Sequence, residues 1–275
     1  MISASDPVRI GAIDFLNARP LVFGLDEHPS GPSVTWDIPS ALARKLHAGD
    51  LDYALVPQVE AVRERDYRIV PGPCVSCRGE VESILLFGPE DWSGVRRVGT
   101  DRASRSSAEL LRVLFHLRHG VVPETVEVPS DLSALDSEDV DAVLLIGDPA
   151  LAHRHADHPR TDLGRAWWDA VGLPFVFAVW LGRVDAPESG RDCVRAVWGA
   201  NLPLRESMAR DYVQSEPGLL NVREAVRYLT RTIRYELGPE EIEALTLFAR
   251  LRHEIGSDVP ADWNPHFFAD RHDPS

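Results

Sequence analysis

The chain has 275 residues, 44% of them hydrophobic and 26% charged, enough for one large α/β domain or two lobes of roughly 100–150 residues each. Its 29 Lys and Arg stand against 43 Asp and Glu, a formal net charge of −14, and that field repels nucleic acid and anionic lipid, so neither is an expected partner. No run approaches the ~20 apolar residues of a membrane span, the N-terminus carries no basic leader, and Asp14 interrupts its apolar stretch, so a cytoplasmic chain without membrane contact is expected.

Strand-like and helix-like segments alternate, the pattern of parallel βα units. Val8–Asp14 reads as a strand ending in the irregular Phe15–Pro20. A helix follows over Pro39–Ala48, with Pro39 in its first turn, Leu42 and Leu46 on one face, and Gly49 at its end. Asp52–Val56 is the next strand, then Ser83–Phe87, then Arg97–Thr100. The polar Asp101–Ser107 opens a helix to His119 that aligns Ser107, Leu110, Leu111, Leu114 and Leu117. Val140–Ile146 and Leu173–Gly182 are continuous apolar runs, as in strands covered on both faces. Asn221 and Glu224 form a capping-box pattern for a helix expected through Tyr235, and Pro239 starts a last helix that stops at Gly256. Gly88–Gly94 and Gly182–Gly190 are rich in Gly, Pro and acids, so both read as crossings between lobes. Residues 1–88 with 183–275 would then form a discontinuous lobe, residues 89–182 the other, and a ligand would sit between them where strand ends and helix starts converge.

An anionic ligand would meet a repulsive overall field, so a site for one must concentrate local positive potential. DRASRSSAEL meets that requirement: it follows a strand and opens a helix, so backbone N–H groups and hydroxyls face the strand ends. Ser106 and Glu109 also fit a capping box, but three serines plus Arg105 exceed what capping needs, which favours an anion site. In FLNARPL, Asn17 can donate and accept and Arg19 offers a planar fork, though Asn and Pro also suit a plain turn. Asp148 in LLIGDPAL is either a carboxylate at a strand end or an N-cap. Cys74 and Cys77 form a C-x-x-C with no second pair, and His153, His155 and His158 lack metal-ligand spacing, so no metal site is expected. Nucleotide and nucleophile-elbow fingerprints are absent from the sequence.

FLNARPL, PSALARKLHAGDLDYALVP, GTDRASRSSAELLRVL, DAVLLIGDPAL and DLGRAWWDAVGLPFVFAVW stand in this order, and so arranged the chain resembles the chorismate dehydratases of the futalosine route to menaquinone from Val8 to about Gly256. The resemblance implies a two-lobed, type II periplasmic-binding-protein-like α/β fold, lyase activity on chorismate, and no metal or organic cofactor. It implies Asn17 as the catalytic position and places Ser83, Ser106 and Ser107 on the substrate. Ser40 and Asp148 are further substrate-binding positions, with Arg105 and Arg19 as counter-charges. The sister enzyme that makes 1,4-dihydroxy-6-naphthoate and a non-catalytic small-anion binding protein share the expected fold. The segment before Ser83 departs from the family pattern at Arg78 and Glu80, and Val171 stands where a threonine is common.

Overall fold

The computed structural model describes residues 6–62, 66–101, 105–136 and 139–269. Its strands are β1 (Arg9–Ala12), β2 (Ser33–Trp36), β3 (Tyr53–Pro57), β4 (Tyr67–Cys77), β5 (Ile84–Phe87), β6 (Arg97–Thr100), β7 (Glu124–Glu127), β8 (Ala142–Ile146), β9 (Arg160–Asp162), β10 (Phe175–Arg183) and β11 (Ile233–Glu236). The α-helices are α1 (Arg19–Val22), α2 (Pro39–Ala48), α3 (Arg105–His119), α4 (Gly147–His153), α5 (Leu163–Val171), α6 (Glu188–Asn201), α7 (Arg205–Ser215), α8 (Val222–Arg227) and α9 (Pro239–Glu254). Two shorter pieces matter for the site: a 3-10 turn at Leu16–Ala18 and a π-helical turn at Tyr228–Thr232.

The strands divide into a six-stranded sheet, β11-β4-β10-β3-β1-β2, and a five-stranded sheet, β7-β6-β8-β5-β9. Each sheet has a parallel half: β2-β1-β3 in the first, β7-β6-β8 in the second. The remaining strands pair antiparallel. The parallel halves arise from βα units in which an amphipathic helix returns over the sheet. Helix α2 closes tightly on β1 because position 11 is glycine: a Cβ there would lie 2.7 Å from Leu51 Cδ1 and 2.9 Å from Leu42 Cδ2. Helix α3 buries Leu110, Leu111, Val113, Leu114 and Phe115, the last stacked 4.6 Å from Trp92.

Three sequence expectations change. The passages between sheets lie at 78–83, between β4 and β5, and at 172–174, between α5 and β10, because Ile84–Phe87 pairs with β8 while Phe175–Arg183 pairs with β3 and β4. The Gly- and Pro-rich segments 88–94 and 182–190 lie at the far strand ends, the second running from the last residues of β10 into α6, so lobe boundaries at 88 and 183 do not match sheet membership. The helix expected through Tyr235 stops at Arg227, widens into the π-helical turn, and becomes β11, whose alternating burial suits an edge strand on β4. Leu117 is 41% exposed, since Val113 and Phe115 face the core in its place.

Helices α3 and α9 approach from elements attached to different sheets and are joined through one carboxylate. Glu109 accepts from Ser257 Oγ at 2.6 Å, Arg252 Nε at 2.9 Å and Arg112 Nη1 at 2.5 Å. Burial alone would raise its pKa, but the Ser257 bond and the Arg252 and Arg112 cations outweigh that and hold the carboxyl below the usual glutamate range. A depressed folded-state pKa stabilises the fold above the unfolded value, and that stabilisation is lost as pH falls through the folded one. Glu109→Gln is therefore expected to cost about 2 kcal/mol at neutral pH, the scale of hydrogen bonds to a charged group. In denaturant titrations its deficit from wild type should shrink steadily on acidification through the carboxylate range; a deficit independent of pH would contradict the ionic account.

Candidate active site

The parallel strands of both sheets point their C-terminal ends at a shared cavity, the place where open α/β sheets bind ligands. Its walls come from the chain just after β1 (Ile13, Phe15, Asn17), the start of α2 (Pro39), the end of β3 (Pro57), the start of α3 (Ser106, Ser107) and the end of β8 (Ile146, Gly147). The enclosed space is about 70 Å³, below the roughly 300–1,000 Å³ of most small-molecule clefts, so its walls stand close together. Phe15 leans on Gly147, where a Cβ would be 3.6 Å from its ring. Among the described residues no charged side chain lines this space; its polar groups are Asn17, Ser106 and Ser107.

Two buried hydroxyls at the helix starts lack partners among the described residues: Ser106 Oγ and Ser40 Oγ. Burying a hydroxyl without a hydrogen bond costs about 1–3 kcal/mol; of the two, only Ser106 lines the cavity. The capping reading of Ser106 does not hold. Helix α3 already runs from Arg105, and Glu109, the other half of the expected box, is committed to Ser257, Arg252 and Arg112. Helix α2 likewise begins without a side-chain cap, at Ile38, with Ser40 in its first turn. Ser104, the third serine of the motif, lies outside the described residues.

The expected charged groups stand away from the cavity wall. Arg105 donates to Glu60 Oε1 at 2.6 Å, and that fully buried carboxylate also meets His47 Nε2 at 3.0 Å. Arg19 lies 4.9 Å over the Tyr212 ring and 3.9 Å from Asp14 Oδ1. Asp148 accepts from Tyr212 Oη at 2.8 Å and shares with Asp14, Arg19 and Tyr212 an outer pocket separate from the cavity. It is no N-cap, since Ile146 holds that position and Asp148 sits in the first turn of α4. Burial raises its carboxyl above the usual aspartate range; the Tyr212 hydroxyl and the Leu16 amide oppose this, while Asp14 adds to it.

Ser83 stands behind the wall, beside the lining residue Ile84. It is fully buried, accepts from Tyr228 Oη at 2.7 Å, and its carbonyl accepts from the Gly147 amide at 2.7 Å. Tyr228 was not marked by any sequence pattern; its signal is tertiary, since it is 145 residues from its partner. Nor was Glu60, whose burial follows only from the packing of α2 and α3 around it. Cys74 and Cys77 are free and buried, and burial pushes both thiols up, away from reactive thiolate. Among the described residues no group of three His, Cys, Asp or Glu side chains could hold a metal ion, and no helix is long and apolar enough to cross a membrane. A larger, open depression of about 570 Å³ lies on the outer side of β5 and β9. It is lined by alternating arginines and carboxylates that largely neutralise one another, such as Arg165 with Asp169 and Arg227 with Glu82.

Comparison with known proteins agrees with this geometry. The fold is that of periplasmic binding proteins. The alkanesulfonate-binding protein of Xanthomonas axonopodis pv. citri superposes with a TM-score of 0.63 at 16% identity, covering 91% of this chain and 93% of that one. A protein of Archaeoglobus fulgidus superposes with a TM-score of 0.74 at 17% identity, covering 92% of this chain and 99% of that one. In sequence, the chain is 28% identical over 198 residues to a chorismate dehydratase of Thermus thermophilus, covering 62% of this chain and 72% of that protein. It is 23% identical over 247 residues to a chorismate dehydratase of Campylobacter jejuni, covering 87% and 95% respectively. Residues 8–254 match the model of the menaquinone biosynthesis family, and the chain belongs to that family.

Proposed function

We propose that this chain is a chorismate dehydratase, converting chorismate to 3-[(1-carboxyvinyl)oxy]benzoate and water. The observation that carries the reading is the cavity at the strand ends, where Asn17, Ser106 and Ser107 are its polar lining and the Ser106 hydroxyl is buried without a partner. The two relatives named for this activity, one of them matched along 87% of the chain, support it.

The reaction breaks the C–H bond at the ring carbon bearing the enolpyruvyl ether and the C–O bond of the neighbouring hydroxyl. The electron pair of the first bond becomes the new ring double bond, and the proton and hydroxide leave as water. The protein's task is to hold a flexible dianion so that the proton, its acceptor and the leaving hydroxyl are aligned. Ser106 and Ser107 offer hydroxyls, and the start of α3 offers amides, to a substrate carboxylate. Asn17, on the 3-10 turn after β1, can donate and accept at once and so orients the reacting part of the ring. Phe15, Ile84, Ile146 and Phe177 supply apolar walls, which would keep water from the reacting ring.

The substrate's own enolpyruvyl carboxylate is the base in this scheme. No protein carboxylate lines the cavity among the described residues, and Asp148, the nearest expected one, is turned toward Tyr212. A second ionised carboxylate beside a dianion would in any case be driven to protonate.

Purified protein incubated with chorismate should form an aromatic product, read by its ultraviolet spectrum and mass; tight binding without turnover would leave a binding protein instead. Replacing both Ser106 and Ser107 by Ala should weaken chorismate binding at least tenfold, given about 1.5–3 kcal/mol for each hydrogen bond to a charged group. An affinity within threefold of wild type would remove the serines from the site.

Asp148→Asn should keep most of kcat, whereas Asn17→Ala should lower it by about 10²-fold or more, the least that loss of a base or of alignment costs. A comparable loss in Asp148→Asn, with binding intact, would make Asp148 the base. The same variant has a stability signature. A carboxyl whose folded-state pKa is raised weakens the fold above that pKa, and the penalty is relieved as pH falls through it. Asp148→Asn should therefore be at least as stable as wild type at neutral pH, its relative advantage shrinking on acidification.

A further inference from the structure

We infer that Tyr228 is a positioning residue of this active site: from the π-helical turn after α8, its hydroxyl fixes Ser83, and the same turn backs the one that carries Asn17. The inference rests on the dehydratase reading. The two groups it connects come from distant parts of the chain. Asn17 belongs to the turn after β1, and Ser83 ends the passage 78–83 from the first sheet to the second.

The geometry is specific. Tyr228 and Ser83 are both buried, and Tyr228 Oη donates to Ser83 Oγ at 2.7 Å. The Leu16–Ala18 turn, which carries Asn17, packs on the π-helical turn that carries Tyr228. Burial raises the phenol well above its ordinary pKa, so it stays protonated and remains a donor. Ser83 in turn receives the Gly147 amide on its carbonyl, at 2.7 Å, and Gly147 lines the cavity opposite Phe15. Tyr228 thus stands between the Asn17 turn after β1, by packing, and Gly147 after β8, through Ser83.

The surrounding turn is built to hold it still. Arg227, one residue earlier, forms a two-pronged pair with Glu82 at 2.5 and 2.6 Å, and Thr232 Oγ1 reaches Glu82 Oε1 at 2.8 Å. Glu82 has φ 63, in the left-handed region a side chain enters only when its surroundings require it. The π-helical turn therefore grips residues 82 and 83 together, and π turns of this kind are common at functional sites. Tyr228 is not itself in the cavity lining, which makes it a residue acting through Asn17 and Ser83 and not a group on the substrate.

Tyr228→Phe removes the hydroxyl and keeps the ring. With chorismate as substrate, kcat should fall between about tenfold and 100-fold, the cost of a small misplacement of reacting groups, while KM stays within threefold. The same change made on Asn17→Ala should have less than a threefold further effect, because a residue acting through Asn17 has little left to position. A kcat within threefold of wild type overturns the inference, and so does a loss that repeats in full on the Asn17→Ala background. Thermal melting separates these outcomes from misfolding. Should Tyr228→Phe not fold, Ser83→Ala empties the other end of the same bond and is read by the same criteria. Wild-type turnover of chorismate is measured alongside: its absence overturns the dehydratase reading and this inference with it, whereas normal wild-type turnover with an unaffected Tyr228→Phe overturns the inference alone.

Discussion

Three backbone amides converge on one carboxylate, and the link between the two sheets depends on it. Asp162, at the end of β9, accepts from Val81 N, Glu82 N and Arg165 N, at 2.7 to 3.1 Å. Burial raises its pKa, and the three amides recover only part of that. The carboxylate nevertheless answers a stricter need: backbone N–H groups buried in an irregular passage have no sheet ladder to join, and each would cost free energy if left unpaired. With Asp162 in place the chain can leave β4, turn through Glu82 in a left-handed conformation, and enter β5 in one register. Ser83 follows immediately, so the same carboxylate that satisfies the passage also fixes one wall of the cavity.

The parts of the fold legible in the sequence are those whose signal is local. Pro39 and Gly49 bracket α2 as expected, Gly120 follows α3, and the Asn221–Glu224 box is present in full. Strand β4 was unreadable for an equally definite reason. Its Pro71, Gly72 and Pro73 look like a turn, yet the strand runs through them because bulges against β10 and β11 absorb the irregularity. Gly72, at φ 106, lets Trp198 lie against the backbone, where a Cβ would be 2.9 Å from its ring. Composition marks exposed turns and so misses the passage at 78–83, which is short and internally bonded. β11 looks helical in sequence because the capping box starts a true helix, and nothing local announces that its last turn opens.

The site was legible to a similar extent. Asn17, Ser106 and Ser107 meet at the cavity, and their position after strands and at a helix start was readable from pattern alone. The roles of the charges were not. Arg105 and Arg19 look like counter-ions in sequence, but Glu60 and the Asp14–Tyr212 pair occupy them, and both arrangements need residues far apart in the chain. Ser106 and Glu109 satisfy a capping pattern on paper; only packing of α9 shows that Glu109 is taken, which leaves the serine hydroxyl for another partner.

That division between charged and neutral groups bears on the chemistry. A net charge of −14 repels a dianion, yet the described lining offers amide, hydroxyl and helix-start donors in place of a cation. For simple binding an arginine would be the stronger choice. For a reaction in which a bound carboxylate must take a proton, it would be the wrong one. A guanidinium against that carboxylate stabilises its charged form and lowers its pKa by one to three units, weakening it as a base by the same measure. Neutral donors orient the group at a smaller cost in basicity, and an apolar wall raises basicity by removing water. On the proposed scheme, Arg105 on Glu60 and Arg19 on Tyr212, outside the cavity wall, would contribute long-range potential without bonding the substrate base. The proposed scheme thus trades affinity for reactivity, which is the direction in which binding interactions must be used if they are to lower a barrier.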